Sequence, residues 1–206
     1  MYEDKFERVC KDQSSIHWST LFGSNVKIGE NVVIDKNCRI GDNVFIGHNT
    51  VIREGVTIYP NTIIGHLVMI EADTTIGSNV TIQSQCHITK EALIEDRVFF
   101  GPMAMCINTW RIKHGRKDIP LIIEGPIIRW GARIGSGSKI MPGIEIGEQA
   151  MLAVGAVATA SIPPFSVWMG VPAKQHRTSF ADEAFDNELK KEAYLCNGIN
   201  KQWGEE

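Results

Sequence analysis

The sequence predicts an all-β solenoid, and two observations carry that prediction. From Ile16 to Cys106 every sixth residue is Ile except Phe22, Phe100 and Cys106, with no insertion. Four residues after each, from Val26 to Ala104, stands a small or β-branched residue, as at Val32, Cys38, Thr50, Val80 and Cys86. A period of six fits neither a 3.6-residue helix nor a simple alternating strand, but fits a coil in which each hexad supplies one short strand and one corner. The Ile positions then stack inside a narrow interior, where each coil covers its neighbours and none is stable alone. At roughly 1.5 to 3 kcal/mol per buried Ile, the ladder is an ample hydrophobic source. Gly, Asn and Asp around the Ile positions, as in IGENVVIDKN and IGDNVFIGHN, suit corners that need positive φ or side-chain-to-backbone hydrogen bonds.

Composition narrows the function classes. With 43% hydrophobic residues and a net charge of -3, a basic nucleic-acid-binding surface is disfavoured. The N-terminal MYEDKFERVCKDQ has no apolar h-region and no apolar run approaches membrane length, so the expectation is a soluble cytoplasmic protein. Five cysteines without a CxxC pair argue against a structural zinc or redox motif. Cys38 and Cys86 fall in the small inward slot on different faces of an 18-residue coil, which points to packing rather than a disulfide. The Asn79-Val80-Thr81 sequon reads as a corner.

After Cys106 the phase fails and resumes two residues out of step at Ile122, Ile128, Ile134, Ile140, Ile146 and Leu152. The intervening INTWRIKHGRKDIPL carries Arg111, Lys113, His114, Arg116 and Lys117 against one acid, Asp118. A solvated charged loop is one explanation. A loop that interrupts an otherwise unbroken repeat is also a usual place for function, and its charge suits phosphate-bearing ligands.

The hexads I-G-E-N-V-V, I-G-D-N-V-F and I-G-S-N-V-T resemble those of the hexapeptide-repeat acyltransferases, over about Ile16 to Lys174. The resemblance implies 18-residue coils of three hexads wound as a left-handed parallel β-helix. The block GARIGSGSKIMPGIEIGEQAMLAVGAVATASIPPFSVWMGVPAK is similar to the last coils of acetyl-CoA-dependent members. There the pantetheine arm lies between subunits of a homotrimer, which implies Ala132, Gly135, Gly137, Ala153, Gly155 and Ala156 as the cofactor surface. Ala160 stands where the family usually has lysine, leaving Lys174 and Arg177 as candidates for the 3'-phosphate.

The stretch TIQSQCHITKEALIEDRVFFGPMAMCINTW resembles the approach to the active-site loop of nucleotide-linked amino-sugar N-acetyltransferases. It implies Asn108 as a catalytic positioning residue, with Thr109 where an acid is usual. An amine acceptor needs orientation more than a strong base. A hydroxyl acceptor needs a base near neutral pKa, for which His114 is the candidate, although related O-acetyltransferases place their histidine near Trp110. Gln85, His87, Arg111 and Arg116 are candidate substrate contacts.

Three other readings stay open. One is O-acetylation of a sugar or small alcohol, and another is a scaffold without catalysis. The third is a metal site on His48 and His66, stacked 18 residues apart as in the gamma-class carbonic anhydrases; no H-x4-H pair supports it, and no metal is expected. The expected organisation is a cap at 1–15, a β-helix at 16–176 with a loop at 107–121, and a tail at 177–206. From Ser179 the tail has an N-cap, early acids, late lysines and one apolar face of Phe185, Leu189, Ala193 and Cys196, the pattern of an α-helix.

Overall fold

The computed structural model describes residues 14–178, so the predicted N-terminal cap and C-terminal helix lie outside the described residues. Two-residue strands follow one another every six residues from Ser15–Ile16 to Met105–Cys106, and again from Ile127–Ile128 to Val157–Ala158. Each pairs in parallel with the strand three places later, as in Met69↔His87 and Thr75↔Leu93, so one coil takes 18 residues. Three sheets result, a parallel β-solenoid consistent with the left-handed β-helix expected. Each strand's N–H groups donate to the next coil: Gly65 N to the Ile82 carbonyl at 2.7 Å, Ile63 N to that of Val80 at 2.9 Å.

The interior is the predicted ladder. Ile34 through Ile94 at six-residue steps, Phe100, Cys106 and Ile128 are buried, with the small slot of Val32, Cys38, Val56, Val80, Cys86 and Ala104 between them. Thr tolerates that slot because its hydroxyl finds a neighbouring carbonyl: Thr50 Oγ1 donates to Gly65 O at 2.9 Å and Thr62 Oγ1 to Gly77 O at 2.8 Å. Cys38, Cys86 and Cys106 are buried free thiols, as packing requires.

Corner glycines and asparagines divide the work. Asn31, Asn43, Asn49 and Asn61 adopt φ of 55 to 60°, and their amides bond coil to coil, Asn43 Nδ2 to Asn61 Oδ1 at 3.1 Å. The glycine after each Ile meets a steric demand instead: a Cβ on Gly47 would lie 2.6 Å from the Gly65 carbonyl carbon of the next coil.

The structure corrects the second ladder's start. Ile122 is 58% exposed and lies in no strand. Register advances by 18 residues below the loop, but Leu93 pairs with Ile127 and Phe99 with Arg133, an advance of 34, so sixteen residues, 108–123, are inserted. Ile122 precedes Ile128 by six only by coincidence. At the upper end the chain turns through Gly170 and a cis Val171-Pro172 bond into Lys174–Thr178, antiparallel to Ser166–Met169; Arg177 is therefore in a strand, not in the predicted tail. Among the described residues no helix is long and apolar enough to cross a membrane.

Candidate active site

The insertion leaves the solenoid at one corner and closes on itself there. Glu124 takes the lattice position that Ala72 and Lys90 hold on lower coils, and its N–H donates to the Asn108 carbonyl at 2.9 Å. Coils on both sides are clamped by Arg129, whose guanidinium reaches Glu95 at 2.9 Å and both oxygens of Glu145 at 3.0 Å. The loop sequence is therefore free of fold duties and is held at a rigid root.

Beyond its root the loop is exposed. Arg116 forks onto Asp118 at 3.0 and 2.7 Å, and the pair holds the Asp118 carboxyl below its ordinary value. Arg111, Lys113, His114 and Lys117 are also exposed, so His114 stands in a cationic segment. Trp110, Ile112 and Leu121 project apolar surface from the same loop, 52%, 84% and 58% exposed. A monomer does not carry so much without a partner surface or ligand.

On the adjoining sheet, His87 points outward between Met69 and Met105 of the neighbouring coils. Its Nε2 meets Glu71 Oε1 at 3.0 Å. The other Glu71 oxygen accepts from Thr89 Oγ1 at 3.1 Å and Lys90 N at 2.9 Å. Burial pushes the Glu71 carboxyl up, but these donors outweigh it and hold the group below the usual carboxylate value. Sequence reasoning singled out His87 and missed Glu71, which lies sixteen residues back and becomes its neighbour only once the 18-residue coil is wound. Gln85 is exposed at the preceding corner with φ 63°, and Leu67 and Met103 take the same left-handed slot below and above it. There the asparagine ladder has yielded to longer side chains, at a local backbone cost of about 1 kcal/mol each.

The predicted cofactor surface divides. Ala132 and Ala156 are fully buried in the small inward slot, with the Ala132 carbonyl taken by Phe99 N and the Ala156 carbonyl by Lys139 N, so neither can face a ligand. Gly137 and Gly155 lie at open corners, with φ of 66° and 68° and no atom within 4 Å of a built Cβ. Ala153 and Gly135 lie beside them, partly exposed, and Lys174 and Arg177 are exposed on the last strand.

The histidine column is a hydrogen-bonded stack. His48 and His66 rings lie 5.1 Å apart at 10°, and each Nδ1 accepts a backbone N–H from the coil below: Glu30 N at 2.8 Å and His48 N at 2.9 Å. Ser84 Oγ continues the pattern for His66 N. The ring nitrogens a metal would need are already used, and among the described residues no group of three His, Cys, Asp or Glu could hold an ion. Shallow depressions of about 400 and 360 Å³ flank Tyr59 on the second sheet; no loop residue lines either.

The bacterial transferase hexapeptide (six repeats) family matches residues 19–54 and 55–90. The chain is a hexapeptide-repeat protein. A serine acetyltransferase of Buchnera aphidicola is 45% identical over 49 residues, 24% of this chain and 19% of that protein. A chloramphenicol acetyltransferase of Morganella morganii is 32% identical over 89 residues, 35% of this chain and 42% of its own. This hexapeptide-repeat chain thus spans less than half the length of these curated relatives. The UDP-N-acetylglucosamine acyltransferase of Campylobacter jejuni aligns over 88% of this chain and 81% of its own, with a TM-score of 0.58 at 19% identity, a likeness of fold.

Proposed function

We propose that the protein is an acetyl-CoA-dependent acyltransferase that delivers acetyl to the amine of a nucleotide-linked amino sugar. One observation carries the reading: a hexapeptide solenoid is interrupted at a single corner, by a sixteen-residue cationic loop rooted at Asn108. Relatives named acetyltransferases support the acyl donor. Asn108 orients the acceptor, and Arg111, Lys113 and His114 meet its phosphates. Arg116, already forked onto Asp118, shapes the loop or trades that carboxylate for phosphate. Gln85 and His87 flank the acceptor from the adjoining sheet. Gly135, Gly137, Ala153 and Gly155 let pantetheine approach backbone, with Lys174 and Arg177 toward the nucleotide end. The exposed Leu67, Met103, Val154 and loop apolar residues support a homotrimer in which a neighbouring copy covers them.

The test is calorimetric titration with acetyl-CoA, followed in the same cell by a panel of nucleotide-linked amino sugars while free thiol is monitored. Micromolar acetyl-CoA binding with thiol released only by an amino sugar is expected. Absence of CoA binding defeats the reading.

A further inference from the structure

We infer that His87 is the general base of the transfer, aligned by Glu71; the inference rests on the acyltransferase reading above. A carboxylate only accepts hydrogen bonds, so the Glu71 contact at 3.0 Å fixes the proton on His87 Nε2. Nδ1 is left with its lone pair, no partner among the described residues, and a side chain 39% exposed. The other column histidines are spent: Nδ1 of His48 and His66 accepts backbone N–H, and that of His17 meets Ser19 Oγ at 2.9 Å. His87 alone, among the described residues, combines a carboxylate on one ring nitrogen with a free second nitrogen.

Glu71 is itself immobilised by Thr89 and Lys90, so the imidazole is oriented through a group that cannot swing away. That is the arrangement a base needs, with a third group fixing tautomer and stabilising the imidazolium. The other charges on this sheet are neutralised or distant. Arg53, in the Glu71 column, pairs with Asp35 at 3.0 Å, and Lys90 pairs with Asp73 at 3.3 Å and Glu91 at 3.6 Å. Lys139 lies two coils above His87, beyond Met105. Asn108 is three residues beyond Met105, so it stands within about 11 Å of His87, three extended residues and one coil spacing. A sugar ring fills that span.

The step balances without an added reactant. The acceptor nitrogen attacks the thioester carbonyl carbon, its proton passes to His87 Nδ1, and the C–S bond breaks. The imidazolium then returns the proton to the departing thiolate, leaving amide and free CoA thiol.

The experiment measures thiol release by wild type, His87→Ala, Glu71→Gln and His114→Ala across pH, with melting temperature and acetyl-CoA affinity recorded for each. Loss of about 10²- to 10⁴-fold in kcat is expected for His87→Ala at unchanged acetyl-CoA affinity. For Glu71→Gln the acid limb of the kcat/KM profile moves to lower pH, because the imidazolium loses its counter-charge; a purely structural role would not move it. A ¹⁵N correlation spectrum should show His87 as the Nε2–H tautomer, and an Nδ1–H tautomer overturns the inference. Wild-type activity retained within about twofold in His87→Ala, on that same 10²- to 10⁴-fold scale for a lost base, overturns this inference alone. Failure of wild type to release thiol with any acceptor overturns the acyltransferase reading and this inference with it.

Discussion

Glu124 donates its backbone N–H to the Asn108 carbonyl at 2.9 Å, so the loop departs and returns through one lattice position. Excising residues 108–123 and joining Ile107 to Glu124 should restore the plain 18-residue register. We expect a β-rich spectrum and a cooperative melt close to wild type, because the Arg129 clamp across Glu95 and Glu145 is untouched. Transfer should fall below about 1%, the scale lost when reactants are no longer positioned. A variant that does not fold would show that the loop is part of the scaffold.

Asn108→Ala isolates the side chain, because the bond at the loop root uses the backbone and survives the substitution. The expected result is a drop in kcat of about 10²-fold, typical of one lost polar contact to developing charge. Acetyl-CoA affinity should not change. Unchanged kcat in thiol-release kinetics removes Asn108 from the site.

Much of this molecule was legible because its core has a period no other fold shares: Ile34 through Ile94 fall every sixth residue, and all are buried. Legibility failed where a local pattern was decoupled from the lattice. Ile122 keeps a six-residue spacing to Ile128 but belongs to the insertion, and spacing alone does not count inserted residues. Ala132 and Ala156 look like a surface stripe of small residues, yet they fill the same inward slot as Val80 and Cys86. The Glu71–His87 contact was hidden for the opposite reason, because residues sixteen apart in sequence are neighbours across coils.

Two glycines of the upper coils should behave oppositely. A Cβ on Gly135 would lie 2.4 Å from Val154 N, so Gly135→Ala must push the coils apart and should cost about 1 to 3 kcal/mol or more in urea unfolding. Gly137 has φ 66° with open space, the slot Asn31 and Asn49 occupy elsewhere. Gly137→Asn should stay within about 1 kcal/mol of wild type, since Asn tolerates left-handed backbone. If pantetheine crosses that corner, the added side chain should raise the calorimetric Kd for acetyl-CoA about tenfold, or about 1.4 kcal/mol. An unchanged Kd removes Gly137 from the cofactor surface.

Glu71 also ties stability to pH, and the sign follows from its lowered carboxyl. Burial raises the value, but Lys90 N–H, His87 and Thr89 together lower it further, so the folded protein holds the ionised form more firmly than the unfolded chain does. The stabilisation is therefore fully present above the unfolded carboxylate value, near 4.3, and is lost as pH falls through the folded value. Glu145 beside Arg129 and Asp118 beside Arg116 titrate in the same sense, so the wild-type slope alone does not isolate Glu71. The difference between wild type and Glu71→Gln does, because the other carboxylates are common to both. Urea unfolding free energies should differ by a constant amount from about pH 7 down to pH 5, and the gap should close below about pH 4 as the wild-type carboxyl takes up its proton. A gap independent of pH would mean that the contacts of Glu71 in the folded state do not depend on its charge.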